Sequence, residues 1–282
     1  MRRTVLVILI DMHVHSTYSD GTLPVEVIAK SAKRRHLSLI SLTDHDTTAG
    51  LAPFASACKS YDIQGLCGIE LSAEADYTLH ILGYRISPSG TPQLDKALAE
   101  IRTHRDERNL EICSKLRKLG LGIEIEEVRA LSRGEVVARP HIARLMIQKG
   151  YVHSNAEAFI KYLGMGAPAY VPRVRLSPEE CVRLIADAGG VAALAHPAQT
   201  RLADDALDSL LKRLKGCGLW GIEAVYSGHS PEQIYYFLSL ADKYGLFPTA
   251  GSDFHGANSP GIDLGMPVSE DFLPWARLGV KI

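Results

Sequence analysis

Residues 8–23 read ILIDMHVHSTYSDGTL: an apolar run closes on His13 and His15, and Asp20 follows five residues later, directly before Gly21. Side chains alternate along a strand, so the two histidines share one face. The start of the chain, with Arg2 and Arg3 ahead of this run, superficially resembles a secretory leader. Its apolar stretch ends after six residues at Asp11, without a small-residue cleavage site, and is far short of a membrane span. The expectation is a buried strand whose end carries chemistry.

The same grammar recurs along the chain. LSLISLTDHD ends in Asp44, His45 and Asp46; IQGLCGIE ends in Glu70; TLHILGY carries His80. GVAALAHP ends in His196, LWGIEAV carries Glu223, and GLFPTAGSDFH ends in Asp253 and His255. Amphipathic segments of helical length lie between most of these runs, at 24–35, 51–61, 177–188, 203–217 and 231–244. Two of them open with SPEE (177–180) and SPEQ (230–233), proline in the first turn and acids or amides after it, which are helix-start signals. Strands alternating with helices imply a parallel sheet. Seven strands over this length favour a barrel, in which reactive residues gather at the C-terminal strand ends.

From about 92 to 170 the strand rhythm stops. A long helical pattern, QLDKALAEIRTHRDERNLEICSKLRKLG, ends at Gly120 as at a glycine cap, and shorter helices are expected near 124–132, 139–149 and 154–163. The reading is a barrel of residues 1–91 and 171–282 with an all-helical insertion at 92–170. Residues 95–175 hold 15 Lys+Arg and 10 Asp+Glu, a net of +5, so with a whole-chain charge of -1 the remainder carries -6. An acidic barrel and a basic cap follow.

With 46% hydrophobic and 22% charged residues the composition is that of an ordinary globular protein. The near-zero net charge does not favour wholesale binding to duplex nucleic acid or to a membrane. Five scattered cysteines, Cys58, Cys67, Cys113, Cys181 and Cys217, have neither metal-knuckle nor redox spacing and read as reduced thiols of a cytoplasmic protein.

Six of the eleven histidines fall at expected strand ends, together with Asp20, Glu70 and Asp253. A single such histidine would be an ordinary core or surface residue. Nine imidazoles and carboxylates at one barrel mouth form a donor set for zinc, manganese or iron. Without cations the acids would repel one another. One catalytic zinc needs about three protein ligands, so nine suit two or three ions. Pairs of ions ~3.5–4 Å apart are typical of phosphoryl-transfer hydrolases.

In order, DMHVHSTYSDGTL, SLTDHDTTAG, GIELSAE, HILGY, LAHP and GSDFH resemble the motifs of the PHP (polymerase and histidinol phosphatase) family of metal-dependent phosphoesterases. The likeness is strongest to members that hydrolyse 3′,5′-nucleoside bisphosphates and trim short RNA from its 5′ end, which also carry a helical insertion and a block like VARPHIAR (137–144). The resemblance implies a distorted seven-stranded (β/α) barrel with three metals, commonly Mn, Fe or Zn. It further implies that His13, His15, Glu70 and Asp253 hold one ion, that Glu70 bridges to a second held by His80 and His196, and that Asp20, His45 and His255 hold the third.

Other residues follow from their neighbours. Asp44 and Asp46 are expected to orient metal-bound imidazoles, with helix capping by Asp46 or Thr47 as the alternative. Glu223 either supports the ligands or meets substrate, and His229 is a loop residue. Planar guanidinium groups match phosphoryl oxygens, so Arg139 and His141, then Arg105, Arg108, Arg173 and Arg175, are the substrate-binding candidates. His196 and Asp253 are the catalytic candidates, the general acid being either His196 or metal-bound water. The expected reaction is attack of a metal-bridging hydroxide on a phosphate monoester, most naturally the 3′-phosphate of a nucleoside 3′,5′-bisphosphate or short 5′-phosphorylated RNA. The alternatives are histidinol phosphate phosphatase, another phosphoesterase or nuclease, and a non-catalytic metal- or nucleotide-binding module.

Overall fold

The computed structural model describes residues 6–132 and 137–280. Val5, at the start of the first expected strand, lies outside them. The chain runs β1 (Val7–Val14), α1 (Val25–Arg34), β2 (Leu39–Leu42), α2 (Leu51–Ser60), β3 (Gly65–Ser72), β4 (His80–Tyr84), α3 (Pro92–Lys118), α4 (Ile125–Ser132), α5 (Arg139–Gln148) and α6 (Asn155–Ala158). It continues through α7 (Pro178–Asp187), β5 (Val191–Leu194), α8 (Asp204–Gly216), β6 (Gly221–Tyr226), α9 (Pro231–Tyr244), β7 (Phe247–Gly251), β8 (Met266–Ser269) and α10 (Trp275–Leu278). The fold is α/β.

Among the described residues, eight strands form one sheet in the order β7-β6-β5-β4-β3-β2-β1-β8. The expectation of seven strands therefore needs correction. It omitted β8, a four-residue strand with a proline, whose sequence MPVS carries no clear alternation. β8 pairs antiparallel with β1 from Val7↔Ser269 to Ile10↔Met266. The sheet also nearly closes, because β7 meets β1 at its end: Asp253 donates its N–H to the His13 carbonyl at 2.9 Å, and Val14 bridges to Phe254.

Direction matters for the site. β1, β2 and β3 are mutually parallel, as are β5, β6 and β7. β4 is antiparallel to both of its neighbours. Only seven residues, 73–79, separate β3 from β4, too few for a parallel crossover. This hairpin reverses β4, so its first residue, His80, pairs with Ser72 at the end of β3. A ligand candidate at the start of a strand thus reaches the rim where the other strands finish.

The two helix starts at SPEE and SPEQ behave as capping rules require. Ser177 Oγ accepts the Glu180 N–H at 3.2 Å while Glu180 accepts the Ser177 N–H at 2.7 Å. Ser230 and Gln233 repeat the device ahead of α9. α1, α2, α7, α8 and α9 each bury one apolar stripe, at roughly 1.5–3 kcal/mol for each fully buried Leu, Ile or Phe. None of the five cysteines forms a disulfide, and all but Cys217 are buried.

The chain divides into two compact units, residues 1–96 with 176–282, and residues 97–175. Ile10, Met12, Leu39, Leu82, Tyr84 and Ala193 lie in the core of the first. In the second, every described element is helical, including a π-helical turn at Phe159–Leu163, and Ile112, Leu116, Val128, Ile142, Met146 and Leu163 lie in its core.

Candidate metal centre

Glu70 is 0% exposed, yet its carboxylate lies among five imidazoles. Oε1 is 2.8 Å from His80 Nδ1 and 3.0 Å from His196 Nε2. Oε2 is 3.0 Å from His45 Nδ1, 3.2 Å from His13 Nε2 and 3.3 Å from His15 Nε2. β1 delivers His13 and His15 from alternate positions, with ring centroids 5.1 Å apart. Asp253, just past β7, brings Oδ1 to 3.2 Å from His15 Nε2 and 3.5 Å from His13 Nε2. Asp20, in the turn after β1, sits 3.1 Å from His255 Nε2 and 3.7 Å from His45 Nε2.

All nine residues expected as ligands are therefore on one rim. Among the described residues, three groups have donor atoms close enough to hold a cation: His13, His15, Glu70 and Asp253; His15, Asp20, His45 and His255; and His45, Glu70 and His80. His15 and His45 each belong to two groups, an overlap that the expected sets lack.

The donor atoms fit metals. His13 Nε2, both nitrogens of His15, His45 Nδ1 and Glu70 Oε2 are buried without a hydrogen-bond partner. A buried polar atom left unpaired costs about 1–3 kcal/mol, and here several such atoms face one another. Nitrogen and carboxylate oxygen together suit zinc, manganese or iron.

Electrostatics agree. Burial disfavours a charged imidazole at His15, but Asp253 and Glu70 beside it overcompensate and lift its pKa to about 10. Burial opposes protonation of His13 too, and Glu223, Glu70 and Asp253 reverse the balance. Burial, aided by His15 and His80 against the carboxylates, pushes His45 down to about 4. Glu70, Asp20 and Asp253 resist burial because imidazoles surround them, and all three are held below the usual carboxylate range.

Behind the donors lies a set of buried acids. Glu223 on β6 accepts from His13 Nδ1 at 3.0 Å and from the His196 backbone N–H at 2.7 Å. Three aspartates each grip a serine by both its N–H and its hydroxyl. Asp44 holds Ser16 at 2.7 and 2.6 Å, and also Ser19 Oγ at 2.6 Å. Asp46 holds Ser72 at 3.0 and 3.2 Å. Asp11 holds Ser252 at 2.9 and 2.6 Å, and burial raises its pKa to about 6. Each serine lies within two residues of Glu70, His15 or Asp253.

Asp44 and Asp46 thus anchor the loops beside the ligand candidates. Asp46 does not cap α2, whose preceding residue is Gly50. His255 Nδ1 donates to the Asp253 carbonyl at 2.9 Å, which turns Nε2 toward Asp20. His229 Nδ1 donates to the Ala224 carbonyl at 3.0 Å. The sequence reading missed Tyr226 and Gln199: the Tyr226 hydroxyl donates to Asp253 Oδ2 at 3.2 Å and accepts from Gln199 Nε2 at 2.9 Å. The available signal was position, since Tyr226 is the last residue of β6.

The six residues expected to bind substrate all lie in the helical unit. Burial, and then Arg139, Arg105 and Arg175 close by, lower the Arg108 pKa to about 10. Arg139 donates to the Leu163 carbonyl at 3.1 Å, with its guanidinium 5.4 Å from the Phe159 ring centre and 5.9 Å from that of Tyr170. His141 accepts the Ala138 N–H on Nδ1 at 3.1 Å, at the start of α5.

Comparison with known proteins adds four findings. Residues 11–161 match the family model described as PHP domain. A 3′,5′-nucleoside bisphosphate phosphatase of Chromobacterium violaceum is 37% identical over 97% of each chain. A 5′-3′ exoribonuclease of Haemophilus influenzae is 31% identical over 93% of this chain and 98% of its own. Among solved structures, a Bifidobacterium adolescentis protein named by inference a metal-dependent phosphoesterase superposes with a TM-score of 0.75, at 29% identity over 93% of this chain and 92% of that one.

Proposed function

Because the chain belongs to the PHP domain family and is a metal-dependent phosphoesterase, we propose that it removes the 3′-phosphate of nucleoside 3′,5′-bisphosphates and also acts on short 5′-phosphorylated RNA. The observation that carries the reading is Glu70, a fully buried carboxylate with five imidazole nitrogens within 3.3 Å. Three divalent ions, Mn, Fe or Zn, are the proposed occupants. His13, His15, Glu70 and Asp253 would hold the first, Glu70, His80 and His196 the second, and Asp20, His45 and His255 the third. Such cations supply an activated water at neutral pH and neutralise charge on phosphoryl oxygens.

This chain's own residues do the rest. Asp253 is kept ionised by His13 and His15 and oriented by the Tyr226 hydroxyl. His196, only 2% exposed, lies at the rim as the candidate to pass a proton to the departing alkoxide. The helical segment, 92–170, is proposed as a basic substrate cap. Arg139, His141, Arg105, Arg108, Arg173 and Arg175 would bind the second phosphate, since guanidinium groups pair with phosphate in charge-assisted bonds. The clustering of Arg105, Arg108, Arg139 and Arg175 supports this, as do the names of the two relatives. No described helix is long and apolar enough to cross a membrane, and the cytoplasm is the proposed location.

Phosphate release with added Mn from adenosine 3′,5′-bisphosphate, 5′-AMP, histidinol phosphate and 5′-phosphorylated short RNA tests the proposal. Preferred turnover of the bisphosphate is expected. Preference for histidinol phosphate, or no turnover of any of them, would overturn it.

A further inference from the structure

Glu223 is a buried acid with 0% exposure and an unusual choice of partners. A carboxylate taken out of water needs hydrogen bonds or a cation. It accepts instead from two residues of the metal rim. One is the His13 ring, with Nδ1 at 3.0 Å from Oε1 and 3.3 Å from Oε2. The other is the His196 backbone N–H, 2.7 Å from Oε2.

The two contacts do different work. A hydrogen bond that fixes a proton on His13 Nδ1 reserves Nε2, the atom that faces Glu70 and Asp253, for a cation. His196 has φ 22 and ψ 63, a left-handed backbone that a residue with a Cβ adopts rarely. The bond to its N–H anchors that conformation, with the ring of His196 carrying Nε2 to 3.0 Å from Glu70. Space around the pair is tight. A Cβ at Gly251 would overlap the His13 side chain and come within 2.6 Å of Glu223 Oε1.

Resting on the metal-centre reading above, we propose that Glu223 is a positioning residue serving two metal centres at once, fixing the His13 tautomer for one and the His196 backbone for the other. Glutamine cannot replace it. Two N–H donors converge on the carboxylate, whereas an amide offers one oxygen and a second donor. With Glu223→Gln, either His13 moves its proton to Nε2 and can no longer ligate, or His196 loses its anchor.

The test is Mn²⁺ titration of full-length wild type and Glu223→Gln, reading free Mn²⁺ by EPR, with kcat and KM measured across Mn²⁺ concentrations. Loss of a partner behind a metal ligand costs about 10–100-fold in metal affinity. That loss is expected at more than one ion per chain, with kcat recovering at saturating Mn²⁺ and KM little changed. A merely structural role would not be rescued by metal. Wild-type Mn²⁺ affinity in Glu223→Gln overturns the proposal, as does a loss confined to one ion. Failure of the wild type itself to bind Mn²⁺ or Zn²⁺ would instead overturn the metal-centre reading. If circular dichroism shows Glu223→Gln unfolded, Glu223→Asp decides. It keeps the charge and shortens the reach, so weakened Mn²⁺ binding supports the proposal and unchanged binding refutes it.

Discussion

Replacing Asp44 by asparagine should destabilise the barrel by about 2–3 kcal/mol, reckoned from bonds to ionised and neutral acceptors. Asp44 is 1% exposed and accepts three hydrogen bonds, from Ser16 N–H, Ser16 Oγ and Ser19 Oγ, all at 2.6–2.7 Å. Bonds to an ionised group contribute about 1.5–3 kcal/mol and neutral ones about 0.5–1.5. Asparagine keeps one oxygen to accept the Ser16 N–H and the Ser19 hydroxyl while its NH2 must donate to Ser16 Oγ in place of the third bond, a loss of about 1 kcal/mol for each of the three. An uncharged amide is easier to bury, which takes back part of the loss. Urea unfolding followed by tryptophan fluorescence in the presence of chelator isolates the effect, because Trp220 and Trp275 both lie in the barrel unit. The midpoint should fall while the slope stays unchanged. A Ser16→Ala cycle should return a coupling energy of at least about 1 kcal/mol, because the two residues touch. A loss below about 0.5 kcal/mol, the range of ordinary surface substitutions, would show that the clamp holds nothing and refute the reasoning.

Glu70→Gln should lose at least one bound ion by elemental analysis and cut turnover by orders of magnitude, since Glu70 touches five of the six rim imidazoles; full metal content would contradict the bridging role. The pH response follows from His15. Its folded pKa of about 10 exceeds its ordinary 6.5, so the stabilisation is complete below pH 6.5 and lost as pH rises through about 10. Chelated protein should accordingly melt lower at pH 9.5 than at pH 7. Metal uptake at pH 7 should release protons into unbuffered solution, and no release would mean that His15 is already neutral. Arg139→Ala should lower kcat/KM for a nucleoside 3′,5′-bisphosphate about tenfold to a hundredfold, from ~1.5–3 kcal/mol for a charge-assisted contact. p-Nitrophenyl phosphate, which lacks a second phosphate, should lose much less; equal losses would place Arg139 in the fold rather than in recognition.

Much of the barrel was legible because each strand announces itself twice, by an apolar run and by the polar residue that ends it. β1, β2, β3, β5, β6 and β7 follow that pattern. β8 does not, since its four residues rest on a backbone ladder with β1 and only Val268 is buried. The reversal of β4 was implicit in its seven-residue connection to β3, although periodicity alone carries no direction. Convergence of the nine histidines and acids on one rim follows from strand-end placement. The partition of His15 and His45 between groups does not, because it depends on ångström-scale geometry. Asp44 lies just past β2, and its carboxylate reaches Ser16 and Ser19 beside His15, a partnership that adjacency to His45 does not announce. Tyr226 left only a positional trace, since a tyrosine at a strand end is more often packing than chemistry.

The three aspartate–serine grips link the ends of β7 to β1, β1 to β2, and the loop after β2 to β3. Each ties a ligand-bearing exit by a backbone N–H as well as a hydroxyl. Ordering one residue costs about 1–2 kcal/mol of backbone entropy, and these grips place that cost in folding rather than in ion capture. Many metal sites assemble only when the ion arrives, so that binding and folding are one event. Here the grips hold the exits of β1 and β7 and the end of β3 by bonds that need no ion, so Glu70 and Asp253 sit on backbone anchored independently of a metal.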